Sequence, residues 1–297
     1  MRRKSVKVVL TALLIASTLP VLEAAATERE ILVSVLDQKK QPVAELAPAD
    51  LLVREDSMAR EVLRVRKATS PVTIALLIDD SAAASSAVSD MRLGLVAFLD
   101  ALDPRTEVAL ITFGERASVL VDYTRDRGRL KKGVLRVFSR RGSGAYFLDA
   151  ISDASRGLEK RAPERPAIVS IMTEGVEFSN LTYQSVLRRL YASGAQFHAL
   201  VLGAQVQANP SQDEIRNRNI VLDEGTRGTG GRRDQLLSSI AIGQALKELA
   251  AELEHQWIVT YSRPESLIPP GRVQVEAKRP GLTVRARTRI EPGKVTQ

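Results

Sequence analysis

The chain has 297 residues, of which 44% are hydrophobic and 26% are charged, a composition typical of a folded globular protein rather than a disordered one. It has no cysteine, which excludes disulfide bonds, a thiol nucleophile and a lipid-modified cysteine near the N-terminus. The formal net charge is +8, but only 4% of the residues are aromatic, so a site that stacks bases or sugar rings is not expected.

Residues 1–26 are predicted to be a secretory signal peptide, cleaved after Ala26. Arg2, Arg3 and Lys4 form a basic start, residues 8–22 are mostly apolar, and residues 24–26 are alanines that offer a cleavage site. Threonine, serine and proline interrupt the apolar run, and it is shorter than the ~20 residues that a spanning helix needs. The sequence therefore predicts an exported protein, periplasmic or secreted, with no transmembrane span in the mature chain and no nucleic acid partner.

Residues 27–70 are predicted to form an N-terminal β-module. Alternating side chains over residues 31–36 indicate a first strand, and residues 51–54 and 61–65 are further strand candidates. The polar residues 37–42 supply a turn after the first strand. Ser70 and Pro71 mark the end of the module.

Strands and amphipathic helices alternate from residue 71 to residue 263. A buried apolar strand at residues 74–78 is followed by a helix that ends at Asp103-Pro104. Further strands are predicted at residues 108–113, 118–123, 167–172, 197–202 and 257–261, and further helices at residues 130–138, 147–158, 181–190 and 246–253. This alternation predicts an α/β fold, namely a doubly wound, mainly parallel, Rossmann-like sheet with helices on both faces.

Two segments outside this pattern complete the predicted organisation. The glycine-rich residues 225–231 match neither a P-loop nor a dinucleotide fingerprint and are predicted to be a surface loop. Residues 264–297 contain two strands around the turn Pro280-Gly281. Because an isolated hairpin is marginally stable in water, we expect this C-terminal β-hairpin to pack on the N-terminal module.

Polar side chains follow the first strand of the α/β region directly. Asp79, Asp80 and Ser81 come immediately after residues 74–78. Ligand sites of open α/β sheets lie outside the carboxyl ends of the strands. Carboxylate and hydroxyl oxygens are also the ligands that Mg²⁺ and Ca²⁺ prefer. The sequence therefore predicts a ligand site at this edge of the sheet.

This loop resembles the first metal-site loop of von Willebrand factor A (VWA) domains, in which Asp-x-Ser-x-Ser follows the first strand. The order of elements is also that of a VWA domain. Almost the whole mature chain, together with the leader, resembles an exported VWA-related family described mainly from acidobacteria, which has an N-terminal β-module and a C-terminal β-hairpin. The resemblance is carried by residues 33–37, 42–43, 50–56, 74–81, 109–113, 147–151, 173–175, 229–232, 246–261 and 279–285.

The resemblance implies a binding or scaffolding protein, not an enzyme, that recognises a protein or surface ligand at the carboxyl edge of the sheet. It also implies a degenerate metal-ion-dependent adhesion site (MIDAS) with Asp79, Ser81 and Glu174 as metal ligands. The site is degenerate because Ala83 replaces the second serine, Gly144-Ala145 replaces a Gly-Thr pair, and Glu174 replaces an aspartate.

Two interpretations of this site stay open. In the first, Asp79, Ser81 and Glu174 bind Mg²⁺ weakly, with waters in place of the missing hydroxyls. In the second, which is favoured, no metal binds. Asp79 then does structural work, and polar side chains of the loop cap the following helix, with Asp80, Ser81, Ser85 and Ser86 as candidates.

A basic segment precedes the second loop of the predicted site. It holds eight basic residues against one acidic residue: Arg125, Arg127, Arg129, Lys131, Lys132, Arg136, Arg140 and Arg141. The simpler interpretation is the solvated outer face of a helix. The functional interpretation is a patch for an anionic surface. Arg140 and Arg141 run into the second loop and could place positive charge at the predicted metal site.

The sequence offers little for catalysis. His198 and His255 are its two histidines, one inside a predicted strand and the other beside Gln256-Trp257, and no nucleophile-elbow motif is present. No catalytic residue and no organic cofactor are predicted. The alternatives are a secreted hydrolase that uses carboxylates at the same edge and a purely structural envelope component.

Overall fold

A computed structural model describes residues 26–203, 212–265 and 270–289, so most of the predicted signal peptide lies outside the described residues. These described residues form one sheet flanked by helices and two small antiparallel sheets. The strands are β1 (Ala26–Leu36), β2 (Leu51–Glu55), β3 (Met58–Arg60), β4 (Val62–Lys67), β5 (Thr73–Ile78), β6 (Glu107–Thr112), β7 (Ser118–Thr124), β8 (Pro166–Thr173), β9 (Gln196–Leu202), β10 (Arg233–Leu236), β11 (Trp257–Pro264), β12 (Val273–Ala277) and β13 (Thr283–Ala286). The helices are α1 (Val88–Ala101), α2 (Arg127–Val134), α3 (Phe147–Arg161), α4 (Tyr183–Ser193), α5 (Gln212–Ile220), α6 (Thr226–Thr229) and α7 (Ala241–Glu254).

The largest sheet has six strands in the order β10-β9-β8-β5-β6-β7, and all are parallel except β7. Strands β5 and β9 are buried along their whole length, as expected for parallel strands covered on both faces. One face packs against α1, α2 and α7, and the other packs against α3 and α4. The predicted α/β fold, a mainly parallel sheet with helices on both faces, is therefore confirmed.

The N- and C-terminal strands build a small β-module, as predicted. One of its antiparallel sheets has the order β13-β1-β11-β4, and the other has the order β12-β2-β3. Side chains from both sheets form a separate hydrophobic core that includes Val33, Val53, Trp257, Val259 and Val273. The core explains the alternation along β1, because Val33 and Val35 point into it and are fully buried.

Two details of this module differ from the prediction. Strands β12 and β13 do not form a hairpin ladder, because β12 pairs with β2 and β13 pairs with β1, and one bridge joins Arg272 to Arg289. Each strand thereby covers an edge that would otherwise stay unpaired. Strand β11 pairs with β1 and β4 rather than with the large sheet. The domain boundaries at residues 70/71 and 263/264 stay a prediction.

The glycine-rich residues 225–231 are closely packed between the large sheet and the β-module, so the prediction of a surface loop is wrong. Helix α6 ends at Gly230, which has a left-handed φ of +79°. A Cβ on Gly230 would lie 2.5 Å from the carbonyl carbon of Ala286 in β13, and one on Gly231 would lie 1.8 Å from the carbonyl oxygen of Phe197 in β9. The backbone therefore passes between the large sheet and the module, where only glycine fits.

A buried charge cluster also joins these two parts. Glu252 of α7 accepts hydrogen bonds from Arg285 of β13 at 2.9 and 3.0 Å and from Arg232 at 3.5 Å. Arg232 also pairs with Asp234 at 2.5 Å and with Glu248 at 3.5 Å. Because an unpaired buried charge is costly, this cluster holds β13 against α7. No helix among the described residues is long and apolar enough to cross a membrane.

Candidate ligand-binding edge

Three loops meet at the carboxyl edge of the large sheet: one after β5, one before α3 and one after β8. The N–H of Ala82 in the first loop donates to the carbonyl of Ser143 in the second at 3.4 Å. The N–H of Ala145 donates to the carbonyl of Val176 in the third loop at 2.8 Å, and the N–H of Phe178 donates back to Ala145 at 2.7 Å. The structure therefore brings together the three loops that the sequence predicted.

Asp79 is fully buried, and backbone amides occupy both of its carboxylate oxygens. Oδ1 accepts from the N–H of Ser81 at 2.9 Å, and Oδ2 accepts from the N–H of Thr173 at 2.8 Å. Burial raises the pKa of Asp79 above its ordinary value, although these hydrogen bonds act in the opposite direction. The side chain ties the end of β5 to the end of β8, which is the structural work expected in the second interpretation.

Asp80 is also buried, and it is paired with the basic segment. Its Oδ2 lies 2.9 Å from Nε of Arg140, and its Oδ1 accepts from the N–H of Gly114 at 2.6 Å. Arg140 also pairs with Glu115 at 3.1 Å. Arg140 therefore brings positive charge into the first loop, but it places this charge on Asp80.

Ser81 is buried and precedes a short 3₁₀ turn, Ala82–Ala84. Helix α1 begins later, at Val88, with Ala87 at its N-cap and no capping side chain. The prediction that a polar side chain of this loop caps the helix is therefore wrong for all four candidates, Asp80, Ser81, Ser85 and Ser86.

Glu174 does not join Asp79 and Ser81. Its N–H donates to the carbonyl of Leu202 at the end of β9 at 2.8 Å, and its Oε1 accepts from Nε2 of Gln235 in β10 at 3.4 Å. Strands β9 and β10 lie on the opposite side of β8 from β5. The Glu174 carboxylate is therefore directed away from the strand that carries Asp79.

Arg218, which the sequence analysis missed, brings a further positive charge to this edge. It is buried, and its Nη1 donates to the carbonyl of Gly175 in the third loop at 2.8 Å. Burial lowers the pKa of Arg218, while the charges of Glu177, Glu174 and Asp79 raise it. The guanidinium stays cationic in any case. Arg218 lies in the polar helix α5, 43 residues from Gly175 in the chain. No motif in the sequence indicated that the two would be in contact.

Glu177, also missed, joins the third loop to α3. Its Oε1 accepts from the N–H of Phe147, the first residue of α3, at 3.1 Å and from the N–H of Ser179 at 3.2 Å. Its Oε2 has no hydrogen-bond partner among the described residues. Burial raises the pKa of Glu177 to about 7. A carboxyl group at a helix N-terminus thus keeps a proton up to neutral pH.

We expect the substitution Glu177→Gln to stabilise the protein at pH 8 but not at pH 4.5. Between the ordinary pKa of 4.5 and about 7, the folded chain holds a proton that the unfolded chain has lost, so stability falls as the pH rises. Glutamine keeps the acceptor oxygen without the ionisation. Urea unfolding should show a gain of about 1 to 3 kcal/mol at pH 8.

The half-buried Glu174 is the matched control for this prediction, because Glu174→Gln makes the same substitution in the same loop. It should change the free energy of unfolding by less than about 0.5 kcal/mol at either pH. An equal gain from Glu177→Gln at pH 4.5 and pH 8 would mean that ionisation is not the cause.

The predicted ligand set does not fit Mg²⁺ well. Mg²⁺ requires near-octahedral oxygen ligands, whereas the oxygens of Asp79 accept two amides and Glu174 is directed toward β10. Arg218 adds a positive charge beside the same carboxylates. Within the described ranges, no group of three or more His, Cys, Asp or Glu side chains is arranged to hold a metal ion.

Exposed apolar side chains lie around these loops. Phe178 of the third loop is 45% exposed, and Leu237 and Ile240, in the loop after β10, are 99% and 81% exposed. Ser239 of that loop donates to Asp90 in the first turn of α1, which places the loop at the same edge as Asp79. We call Phe178, Leu237 and Ile240 the apolar edge residues. Their exposure at one edge of the sheet makes them candidates for a contact surface.

Part of the chain matches a known family model, and its fold is similar to solved structures. Residues 74–176 match the family model of the von Willebrand factor type A domain. Among solved structures, the chain is similar to a von Willebrand factor type A protein from Catenulispora acidiphila, with 13% identity and a TM-score of 0.48 over 90% of this chain and 72% of that one. It is also similar to the conserved hypothetical protein BatB from Bacteroides thetaiotaomicron, with 17% identity and a TM-score of 0.44 over 60% and 97% of the two chains.

A third similar structure is the vWF domain of the type V pili tip protein Mfa5 from Porphyromonas gingivalis, with 10% identity and a TM-score of 0.47 over 62% of this chain and 95% of that one. A search of curated proteins gave no match. At these identities and TM-scores, the solved structures say nothing about the ligand of this chain. The match to the family model covers β5, the Asp79 loop and the start of the third loop, and the protein therefore contains a VWA domain, which the family model matches at residues 74–176.

Proposed function

We propose that the protein is an exported binding or scaffolding component that recognises a protein or surface ligand at the carboxyl edge of its sheet without a metal ion. The observation that carries the proposal is the exposure of the apolar edge residues, Phe178, Leu237 and Ile240. VWA domains generally bind proteins, and the family model matches residues 74–176, which include the Asp79 loop at the same edge.

The charges of the edge support recognition by apolar contact. Asp79 is used by backbone amides and Asp80 by Arg140, so neither carboxylate is free for a ligand. Three apolar side chains, Phe178, Leu237 and Ile240, remain exposed at this edge. Aromatic and aliphatic side chains supply much of the energy at the centres of protein interfaces.

Export is the second part of the proposal, and it rests on the sequence alone. The basic start, the apolar run and the three alanines at residues 24–26 support cleavage and release into the periplasm or the medium. A scaffold outside the cytoplasm would meet proteins and envelope surfaces rather than nucleic acid, which agrees with the scarcity of aromatic residues.

We expect a photo-crosslinking phenylalanine analogue at position 178 or 237 to give the same adduct in cells that express the protein. The analogue replaces an exposed apolar side chain in each case, so folding should be preserved. The adduct should form equally with and without a chelator, because the proposed contact is apolar. Mass spectrometry of the adduct identifies the partner.

Position 58 is the matched control for this experiment. Met58 is 63% exposed but lies on β3 in the β-module, away from the edge. An adduct from position 58 and none from the edge would overturn the proposed binding site, and an adduct lost in chelator would restore a role for a metal. Loss of hydrolytic turnover on Asp79→Asn would support the hydrolase alternative. If Phe178→Ser and Leu237→Ser had no effect on cells that express the protein, a purely structural component would be supported.

A further inference from the structure

The outer face of α2 combines basic and apolar side chains. Arg129, Lys132, Leu135 and Arg136 are spaced by three or four residues along α2 and its continuation, and all four are exposed. This spacing puts them on one side of the helix. Leu135 is 62% exposed, whereas the opposite side of the helix is buried in the core between the sheet and α1. An apolar side chain therefore projects among basic ones.

A second apolar side chain extends this face. Phe138 follows the helix and is 63% exposed. The guanidinium of Arg92 lies 4.2 Å from its ring centroid. Nε of Arg92 also donates to the carbonyl of Val137 at 2.8 Å, so the cation that covers one side of the ring is fixed to the adjacent backbone. The ring is thus held at the surface and is not folded into the core.

Four of the eight basic side chains in the predicted basic segment form ion pairs or donate to backbone carbonyls within the protein. Arg125 pairs with Glu107, Lys131 pairs with Asp100, Arg140 pairs with Asp80, and Arg127 donates to two backbone carbonyls. The other half makes no ion pair with any described residue: Arg129, Lys132, Arg136 and Arg141. Of these, Arg136 donates one hydrogen bond to a backbone carbonyl, that of Leu120, at 3.4 Å. Asp126, the acidic residue of the segment, caps the helix by accepting from the N–H of Arg129 at 2.9 Å. The unpaired positive charge is therefore concentrated where the apolar side chains project.

We propose that this surface, formed by Arg129, Lys132, Leu135, Arg136 and Phe138 and called the α2 outer face, docks on an anionic lipid surface. Leu135 and Phe138 enter the boundary between headgroups and acyl chains, and the basic side chains contact lipid phosphates. Leu135 and Phe138 project from the exposed side of the segment, opposite the side that packs in the core. A fluid bilayer accepts such projections without a complementary shape, which favours lipid over an acidic protein as the occupant.

The test is sedimentation with vesicles of phosphatidylcholine, with and without phosphatidylglycerol. The chain from Ala26 onward is used, because it contains every described strand and helix and lacks the apolar leader. We expect binding only to the anionic vesicles and a loss of binding at high salt. The double substitution Lys132→Gln and Arg136→Gln should lower the partition coefficient by about 30-fold, and Leu135→Ser with Phe138→Ser should lower it by at least about tenfold.

Matched controls lie elsewhere on the surface. Met58→Ser removes an apolar side chain of the same exposure as Phe138, and Lys247→Gln removes an exposed charge from α7; neither should change binding. Equal binding to neutral and anionic vesicles, or no effect of the Leu135 and Phe138 substitutions, would overturn the proposal. So would binding to soluble polyglutamate without binding to vesicles, because that result assigns the face to an acidic protein. The apolar edge residues are unchanged in all variants, so the outcome is independent of the proposed function.

Discussion

Glu252→Gln is expected to destabilise the folded protein by about 3 kcal/mol. Its carboxylate is 1% exposed and contacts two arginines, Arg285 and Arg232. The substitution leaves Arg285, which is 25% exposed, without its carboxylate partner, and it leaves the buried Arg232 with Asp234 and Glu248 alone. Removing one partner of a buried ion pair is typically far more costly than the pair itself is favourable. Urea unfolding followed by circular dichroism measures the change in the free energy of unfolding.

Glu248→Gln is the matched control, since Glu248 lies one turn earlier on the same helix and also contacts Arg232 at 3.5 Å. Its side chain is 19% exposed, so water screens the charge and we expect a loss below about 1 kcal/mol. Equal losses from the two substitutions would show that burial of Glu252 is not the cause. The double substitution Glu252→Met and Arg285→Met should recover part of the lost stability, because it removes Arg285 together with its carboxylate partner and leaves Arg232 paired with Asp234 and Glu248.

The sequence predicted those parts of the fold that have a strong local pattern. Strand β5 is a continuous apolar run, and the apolar side chains of α1 recur at helical spacing, so both were identified from residues alone. Strand β10, with the sequence Arg-Asp-Gln-Leu, has no such pattern and was missed. It is a strand because its backbone pairs in parallel with β9, and such a partner, distant in the chain, is not visible in a window of a few residues.

The candidate site was predicted only where motif and topology coincide. The motif located Asp79, and the topology of parallel strands brought its loop to the loops of Ala145 and Glu174. The orientation of Glu174 was missed because it depends on Gln235 of β10, and the contribution of Arg218 was missed because α5 follows a polar stretch without a motif. The segment around Gly231 was predicted to be a loop because glycine often indicates a turn in a sequence. Here glycine instead permits the backbone to approach the carbonyl of Phe197 closely.

His198 should make the protein less stable as the pH falls below 6.5. It is fully buried in β9, and neither ring nitrogen has a hydrogen-bond partner among the described residues. Burial, with the nearby charges of Arg232 and Arg285, lowers the pKa of His198 from 6.5 to about 3. Between these values the unfolded chain binds a proton that the folded chain does not, so stability is lost as the pH falls. We expect about a tenfold lower folding equilibrium constant for each pH unit in this interval.

The variant His198→Leu removes this titration at similar side-chain volume. It should be at least as stable as the wild type at pH 7.5, because it removes two unsatisfied buried polar atoms, and its advantage should grow as the pH is lowered. Urea unfolding at pH 7.5, 6.0 and 4.5 measures this difference, and the opposite titration of Glu177 cancels because both proteins contain it. The second histidine, His255, is exposed and supplies the control: His255→Leu should follow the wild type. A constant difference between His198→Leu and the wild type at all three pH values would contradict the proposed role of the buried imidazole, because a packing effect alone does not depend on protons.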